Sequence, residues 1–353
     1  MLLLLLLLLL LFYICFSHIS FCFYFHAIDI IANVLLFSFV FWSQALAIAT
    51  VPYAVEEKVE GMLYQMMAGA CETLRESGCA LVGGHTAEAA ELSLGFAVNG
   101  VAKANLVLRK GGMSKGQTII ITKSVGTGTL FAAEMKGKAK GPWVSEALKS
   151  MCMSNRKAAL CLRDYGATSC TDVTGFGVLG HLVEMVNAQE EDEDKQTQTE
   201  GKATARLYLD SLPCMLGAVE CIESGIFSSL QPQNVRLRRA VRTVSQKECG
   251  KSSKYPLLFD PQTAGGLLAT VPFERTTECV KALIDLGYVD TCVVGEIIME
   301  SEQPVNDRGI EIVLRRYGDE ITVEGTETAT KNVLRRRGSL LIDPSSPFGV
   351  GRR

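Results

Sequence analysis

Thr171-Asp172-Val173-Thr174-Gly175-Phe176-Gly177 lies between a short apolar run ending at Cys170 and a stretch of helical periodicity from Val178 to Val186. Strand, glycine turn and helix in that order form the local unit of α/β proteins, so this stretch sets the expected fold class. Glycine lets main-chain N–H groups approach an anion, and the helix that follows turns its positive dipole end toward the same place. Asp172 is the carboxylate best placed to face a phosphate-bound Mg2+, an ion that takes hard oxygen ligands. A plainer reading, an aspartate capping the Val178 helix, stays open on the sequence.

Two further glycine segments read the same way. Gly83-Gly84-His85-Thr86 follows the apolar run from Cys79 to Val82, and Asp260-Pro-Gln-Thr-Ala-Gly-Gly266 follows Leu257 to Phe259, so each is expected to be a turn after a strand. For any one of them alone, a tight turn is explanation enough. His85 can donate to a phosphate or a base, or simply hold its own turn. Two familiar nucleotide signatures fail: Gly126-Thr-Gly128 has Phe131 where a dinucleotide fingerprint needs its third glycine, and no G-x-x-x-x-G-K-[ST] occurs.

Outward from these segments, apolar spacing predicts a helix from Glu56 to Leu74 closed by Gly78, and a strand through Leu92, Leu94, Phe96 and Val98. It also predicts a strand over Thr118 to Thr122, helices over Thr129 to Met135 and about Val144 to Asp164, strands over Leu257 to Phe259 and Leu267 to Val271, a helix reaching Gly287, and a strand from Cys292 to Ile298. Residues 187–206, with five consecutive acidic residues from Glu190 to Asp194, read as a solvated loop. Residues 301–353 lose periodicity and pass through Arg335-Arg-Arg337 into a Pro/Ser/Gly-rich end, the composition of a largely disordered tail.

Met1 is followed by ten leucines, and Asp29 is the one charge in the first 55 residues. Such a stretch is long enough to span a bilayer, yet no Lys or Arg precedes Lys58 to make the basic start of a secretory signal. A membrane anchor and a low-complexity or mis-assembled start both remain open for residues 1–44. The whole chain, 353 residues and 48% hydrophobic, suffices for two domains. A net charge of −3 supplies no field for nucleic acid. Twelve cysteines without a C-x-x-C argue against a closed metal centre, and their single placement in apolar stretches reads as buried thiols in a reducing compartment.

Order, spacing and flanking residues together resemble one family over about residues 45–298. Ala49-Thr-Val-Pro-Tyr53, Ala80-Leu-Val-Gly-Gly-His-Thr86, Thr122-Lys-Ser-Val-Gly-Thr-Gly128, Met153-Ser-Asn-Arg156, Cys170 to His181 and Phe259 to Leu268 are similar to selenophosphate synthetase (selenide, water dikinase). The resemblance implies an α/β (α+β), PurM-like two-domain architecture shared with aminoimidazole ribonucleotide synthetase. Residues 45–113 would be a truncated N-terminal domain that dimerises through its sheet, and residues 114–300 a complete C-terminal domain. It implies a reaction of ATP, selenide and water giving selenophosphate, AMP and phosphate, with a cytoplasmic folded region. By position, Gly84, His85 and Thr86 match residues that touch ATP, Asp172 matches one of the aspartates that hold Mg2+, and Asp260 matches a structural position.

Members of that family open with a glycine-rich loop carrying a reactive Cys or Sec and a nearby Lys, followed by further metal-binding aspartates. Residues 30–44 are apolar where an Asp-bearing helix is expected. On this reading the chain holds no catalytic residue, and its binding of Mg2+ with ATP is weak or lost. The alternative is a non-catalytic nucleotide- or partner-binding homologue, tethered to a membrane by residues 1–44.

Overall fold

The computed structural model describes residues 8–9, 40–103, 106–193, 203–242, 247–299, 310–314 and 317–318. They form two sheets, one in each half of the chain.

The first sheet contains β1 (Leu8–Leu9), β2 (Val40–Val51), β3 (Ala80–Glu88) and β4 (Ser93–Ala102), in the order β1-β4-β2-β3. β2 and β3 run parallel, which requires a crossover, and α1 (Glu56–Glu76) supplies it. Along β4 the alternation Leu94, Phe96, Val98 turns one face inward, and with Ala45 and Ala49 it buries against Met66, Ala70 and Leu74 of α1. β3 is an edge strand exposed along its whole length. The expected 44/45 boundary falls inside β2, and residues 10–39 of the apolar start lie outside the described residues.

The second sheet holds β5 (Thr118–Ile121), β6 (Ser169–Asp172), β7 (Ala203–Tyr208), β8 (Leu267–Val271), β9 (Cys292–Met299) and β10 (Ile310–Val313), ordered β10-β7-β9-β5-β8-β6. All pairings are antiparallel except β10 with β7. β5 divides its side chains between two cores. Ile119 and Ile121 join Leu130 of α2 (Thr127–Met135), Ala147 of α3 (Gly141–Cys152), Leu179 and Leu182 of α5 (Gly177–Glu193) and Ile222 of α6 (Ala218–Glu223). Ile120 joins Leu162 of α4 (Arg156–Asp164) and Leu283 of α7 (Thr276–Asp285). Helices cover both faces, so the strand is a continuous apolar run rather than an alternation.

Several sequence expectations are corrected. Gly83 to Thr86 is no loop but the middle of β3, paired residue for residue with Leu46 to Ala49 of β2. The single helix expected from 144 to 164 is two, α3 and α4. At the break the Met153 carbonyl accepts from Lys123 Nζ at 2.6 Å and the Ser154 carbonyl from Tyr288 Oη at 2.6 Å, so tertiary donors replace intrahelical ones. Leu257 to Phe259 forms a 3-10 turn behind Pro256, which cannot donate to a ladder. α5 runs on to Glu193, into the acidic stretch expected as loop, and the expected tail contributes β10 to the second sheet. The two halves meet where Arg156 Nη1 donates to the Ser77 carbonyl at 3.3 Å. Among the described residues no helix is long and apolar enough to cross a membrane.

Candidate functional site

Asp172 is the last residue of β6, opposite Leu267 of β8. The turn that follows is tied down from three directions. Val173 N–H donates to the Gly266 carbonyl (2.9 Å), Gln262 N–H to the Thr174 carbonyl (2.9 Å) and Asn234 Nδ2 to the Gly175 carbonyl (2.8 Å). Gly177 starts α5 at φ +70°, and a Cβ there would lie 2.8 Å from the Leu258 carbonyl oxygen, so only glycine fits. Asp172 therefore precedes the helix by a full turn of chain and does not cap it, which removes the plainer sequence reading.

The Asp172 carboxyl is raised above the ordinary carboxylate range, first because burial strips its water, with His181 and Lys110 pulling the other way. Among the described residues no Lys, Arg or His lies within ion-pair distance of it. A partly desolvated carboxylate with no ion-pair partner in contact suits a hard cation whose other ligands are substrate oxygens and water. No cluster of three or more His, Cys, Asp or Glu side chains able to enclose a metal occurs among the described residues. The donor set thus fits an ion that arrives with phosphate, as Mg2+ does, rather than a protein cage. Cys170, two residues away, is pushed up to about 12 by burial and by Asp172, which rules it out as a ready thiolate.

Beside this turn stands a charged chain that the sequence reading missed. Lys110 Nζ donates to Glu184 Oε2 at 2.8 Å, the same oxygen faces His181 Nδ1 at 3.1 Å, and His181 Nε2 lies 3.0 Å from Thr174 N. The two partners hold the Glu184 carboxyl down at about 2, His181 contributing most. The spacing of His181 and Glu184, one helical turn apart, was available as a signal; Lys110 had none.

Asp260 and Gln262 do different work. Gln262 Oε1 accepts from Gly126 N–H (2.9 Å) and Thr127 N–H (3.3 Å), and Asp260 Oδ1 accepts from Thr129 Oγ1 (2.7 Å). Together they cap α2 from far along the chain, so neither the 260–266 segment nor the Gly126-Thr-Gly128 turn leaves these donors to an anion. Gly84, His85 and Thr86 sit exposed on β3, where a Cβ on Gly84 would come 2.0 Å from the Ala47 carbonyl oxygen. They belong to a different sheet from Asp172, and among the described residues no hydrogen bond or ion pair joins the two.

The two-sheet architecture and the strand–turn–helix site define a class, and residues 114–306 match the family model "AIR synthase related protein, C-terminal domain". The fold is PurM-like: hydrogenase maturation protein HypE, solved in complex with ATP, superposes with a TM-score of 0.56 at 13% identity, covering 82% of this chain and 76% of that one. The selenide, water dikinase of Pelobacter propionicus is 33% identical over 240 residues, 68% of this chain and 65% of the relative. That of Pseudomonas aeruginosa is 32% identical over 253 residues, 72% and 68%. The chain belongs to the selenide, water dikinase family. It spans about two thirds of the length of these relatives.

Proposed function

We propose that this chain carries the Mg·ATP-facing part of a selenophosphate-forming kinase, with Asp172 as its Mg2+ ligand and Gly84, His85 and Thr86 as contacts to ATP. The observation that carries the reading is the half-buried Asp172 carboxylate at the end of β6, with no ion-pair partner among the described residues and presented by a turn whose neighbours fasten it in place. Bound with ATP, Mg2+ would neutralise phosphate oxygens; the protein's share is to hold Asp172 at that place. A structural neighbour solved with ATP supports the nucleotide, and dikinase relatives support selenide as the acceptor. A homodimer through the first sheet accords with Leu46, Val82 and Val101, which are exposed apolar residues of its strands.

Phosphoryl transfer is chiefly positioning and charge neutralisation. A single carboxylate holds Mg2+ weakly, since the ion takes its remaining ligands from substrate oxygens and water. Our reading is therefore Mg·ATP binding at roughly millimolar concentration, without selenide-dependent AMP release by this chain alone. The apolar composition of residues 1–44 motivates a second reading, a non-catalytic nucleotide- or partner-binding homologue tethered to a membrane through that stretch. Titration calorimetry with Mg·ATP tests the site: Asp172→Asn is expected to bind more weakly than wild type, and equal affinity would remove Asp172 from the metal. Robust selenide-dependent AMP formation would overturn the inactivity.

A further inference from the structure

We infer that His181 is a positioning residue for the turn that presents Asp172, an inference that rests on Asp172 holding the metal. The ring is buried, and its partners fix its tautomer. An amide N–H can only donate, so the Thr174 N–H at 3.0 Å requires a lone pair on Nε2, with the Thr174 hydroxyl 3.1 Å from the same atom. The ring proton then sits on Nδ1 and donates to Glu184 Oε2. Lys110 fixes that carboxylate in turn, and the exposed Phe176 ring stands 5.7 Å from the imidazole.

The other ties of the turn reach the Val173 N–H and the Thr174 and Gly175 carbonyls. Among the described residues His181 alone takes the Thr174 N–H, two residues past Asp172 on the way to the helix. Without an acceptor that donor is stranded beside a buried helix start, and the turn has reason to rotate toward water. The order Lys110, Glu184, His181, Thr174 is thus a chain of hydrogen bonds ending on the backbone of the metal-presenting turn, the arrangement by which indirect partners fix a ligand's aim.

The test compares wild type, His181→Gln and His181→Leu by ATP titration in excess Mg2+ and again in EDTA. Glutamine places an acceptor oxygen near the position of Nε2; leucine places none. The expected result is a Mg2+-dependent gain in ATP affinity that Gln keeps within about twofold and Leu loses by about tenfold, with metal-free binding unchanged in both. Leu retaining the gain, Gln failing as badly as Leu, or Leu weakening metal-free binding equally would overturn the positioning role. Wild-type binding indifferent to Mg2+ would instead overturn the Asp172 reading, and the inference with it. If Leu loses its near-ultraviolet circular dichroism, nitrogen NMR of the wild-type ring decides: a proton on Nδ1 is required, and one on Nε2 sinks the inference.

Discussion

β3 and β5 are both built on short apolar runs, Ala80-Leu-Val82 and Thr118-Ile-Ile-Ile121, yet every residue of β3 is exposed and every residue of β5 is buried. The difference is what surrounds them. β5 lies between β9 and β8 with helices on both faces, whereas β3 ends a sheet whose one helix among the described residues covers chiefly β2 and β4. An apolar run therefore announces a strand, and only topology decides whether that strand is core or rim. The candidate ligands divide along the same line. Asp172 is held by a packed three-layer unit, while Gly84, His85 and Thr86 stand on an open edge.

The largest expected effect breaks this contrast directly. Ile120→Ala opens a cavity between β5, α4 and α7 and should cost about 2–5 kcal/mol in urea unfolding, whereas Val82→Ala on β3 should stay within about 0.5 kcal/mol. Comparable losses at the two positions would mean that β3 is buried in solution, by a second copy or by another part of the chain.

The α2 clamp sharpens the contrast, because it shows a glycine-bearing segment spent on structure. Gln262→Ala strands the Gly126 and Thr127 N–H groups and one side of Asp260, at about 1–3 kcal/mol. Burial pushes Asp260 up to about 6 from its ordinary 3.8, so between those values the folded state binds more protons than the unfolded one, and Asp260 makes stability fall as pH rises. Glu184, held at about 2 against an ordinary 4.5, works in the opposite direction: its contribution is complete above 4.5 and is lost as pH falls toward 2. Urea midpoints measured from pH 4 to 7 should therefore decline less steeply in Asp260→Asn than in wild type. An unchanged slope would refute the assignment.

Much of the second sheet was legible because its strands are apolar runs bounded by glycine turns: Thr118 to Ile121, Leu267 to Val271 and Cys292 to Met299 stand where periodicity places them. The break between α3 and α4 was not legible, since its cause is Lys123 and Tyr288, distant residues that supply the carbonyls with donors. β3 misled for a related reason. Two glycines suggest a turn, but Gly84 is required by close approach to the Ala47 carbonyl within a continuous strand. At the site, Asp172 could be singled out from its neighbours, whereas the Lys110–Glu184–His181 chain exists only once the linker before β5 lies along α5.

The smallest expected effect is the most discriminating. Asp172, like Asp260, is raised by burial, but Asp260 is surrounded by donors, whereas Asp172 has no ion-pair partner in contact among the described residues. Where Asp172 is ionised, its charge should therefore cost the fold free energy, and Asp172→Asn should leave the melting temperature at pH 7 unchanged or raise it slightly, by no more than about 1 kcal/mol of stability. The gain should shrink as pH falls, because wild-type Asp172 takes up its proton at a higher pH than an ordinary carboxylate and loses the charge that burial penalises. Saturating Mg·ATP should reverse the order, because at ten times its dissociation constant a ligand stabilises by roughly 1.4 kcal/mol, and the variant binds it more weakly. A carboxylate kept only for structure would show the opposite pattern, with Asp172→Asn melting lower at every pH and responding to Mg·ATP as wild type does. Differential scanning fluorimetry of both proteins, at pH 4 and 7 and with and without Mg·ATP, separates the two.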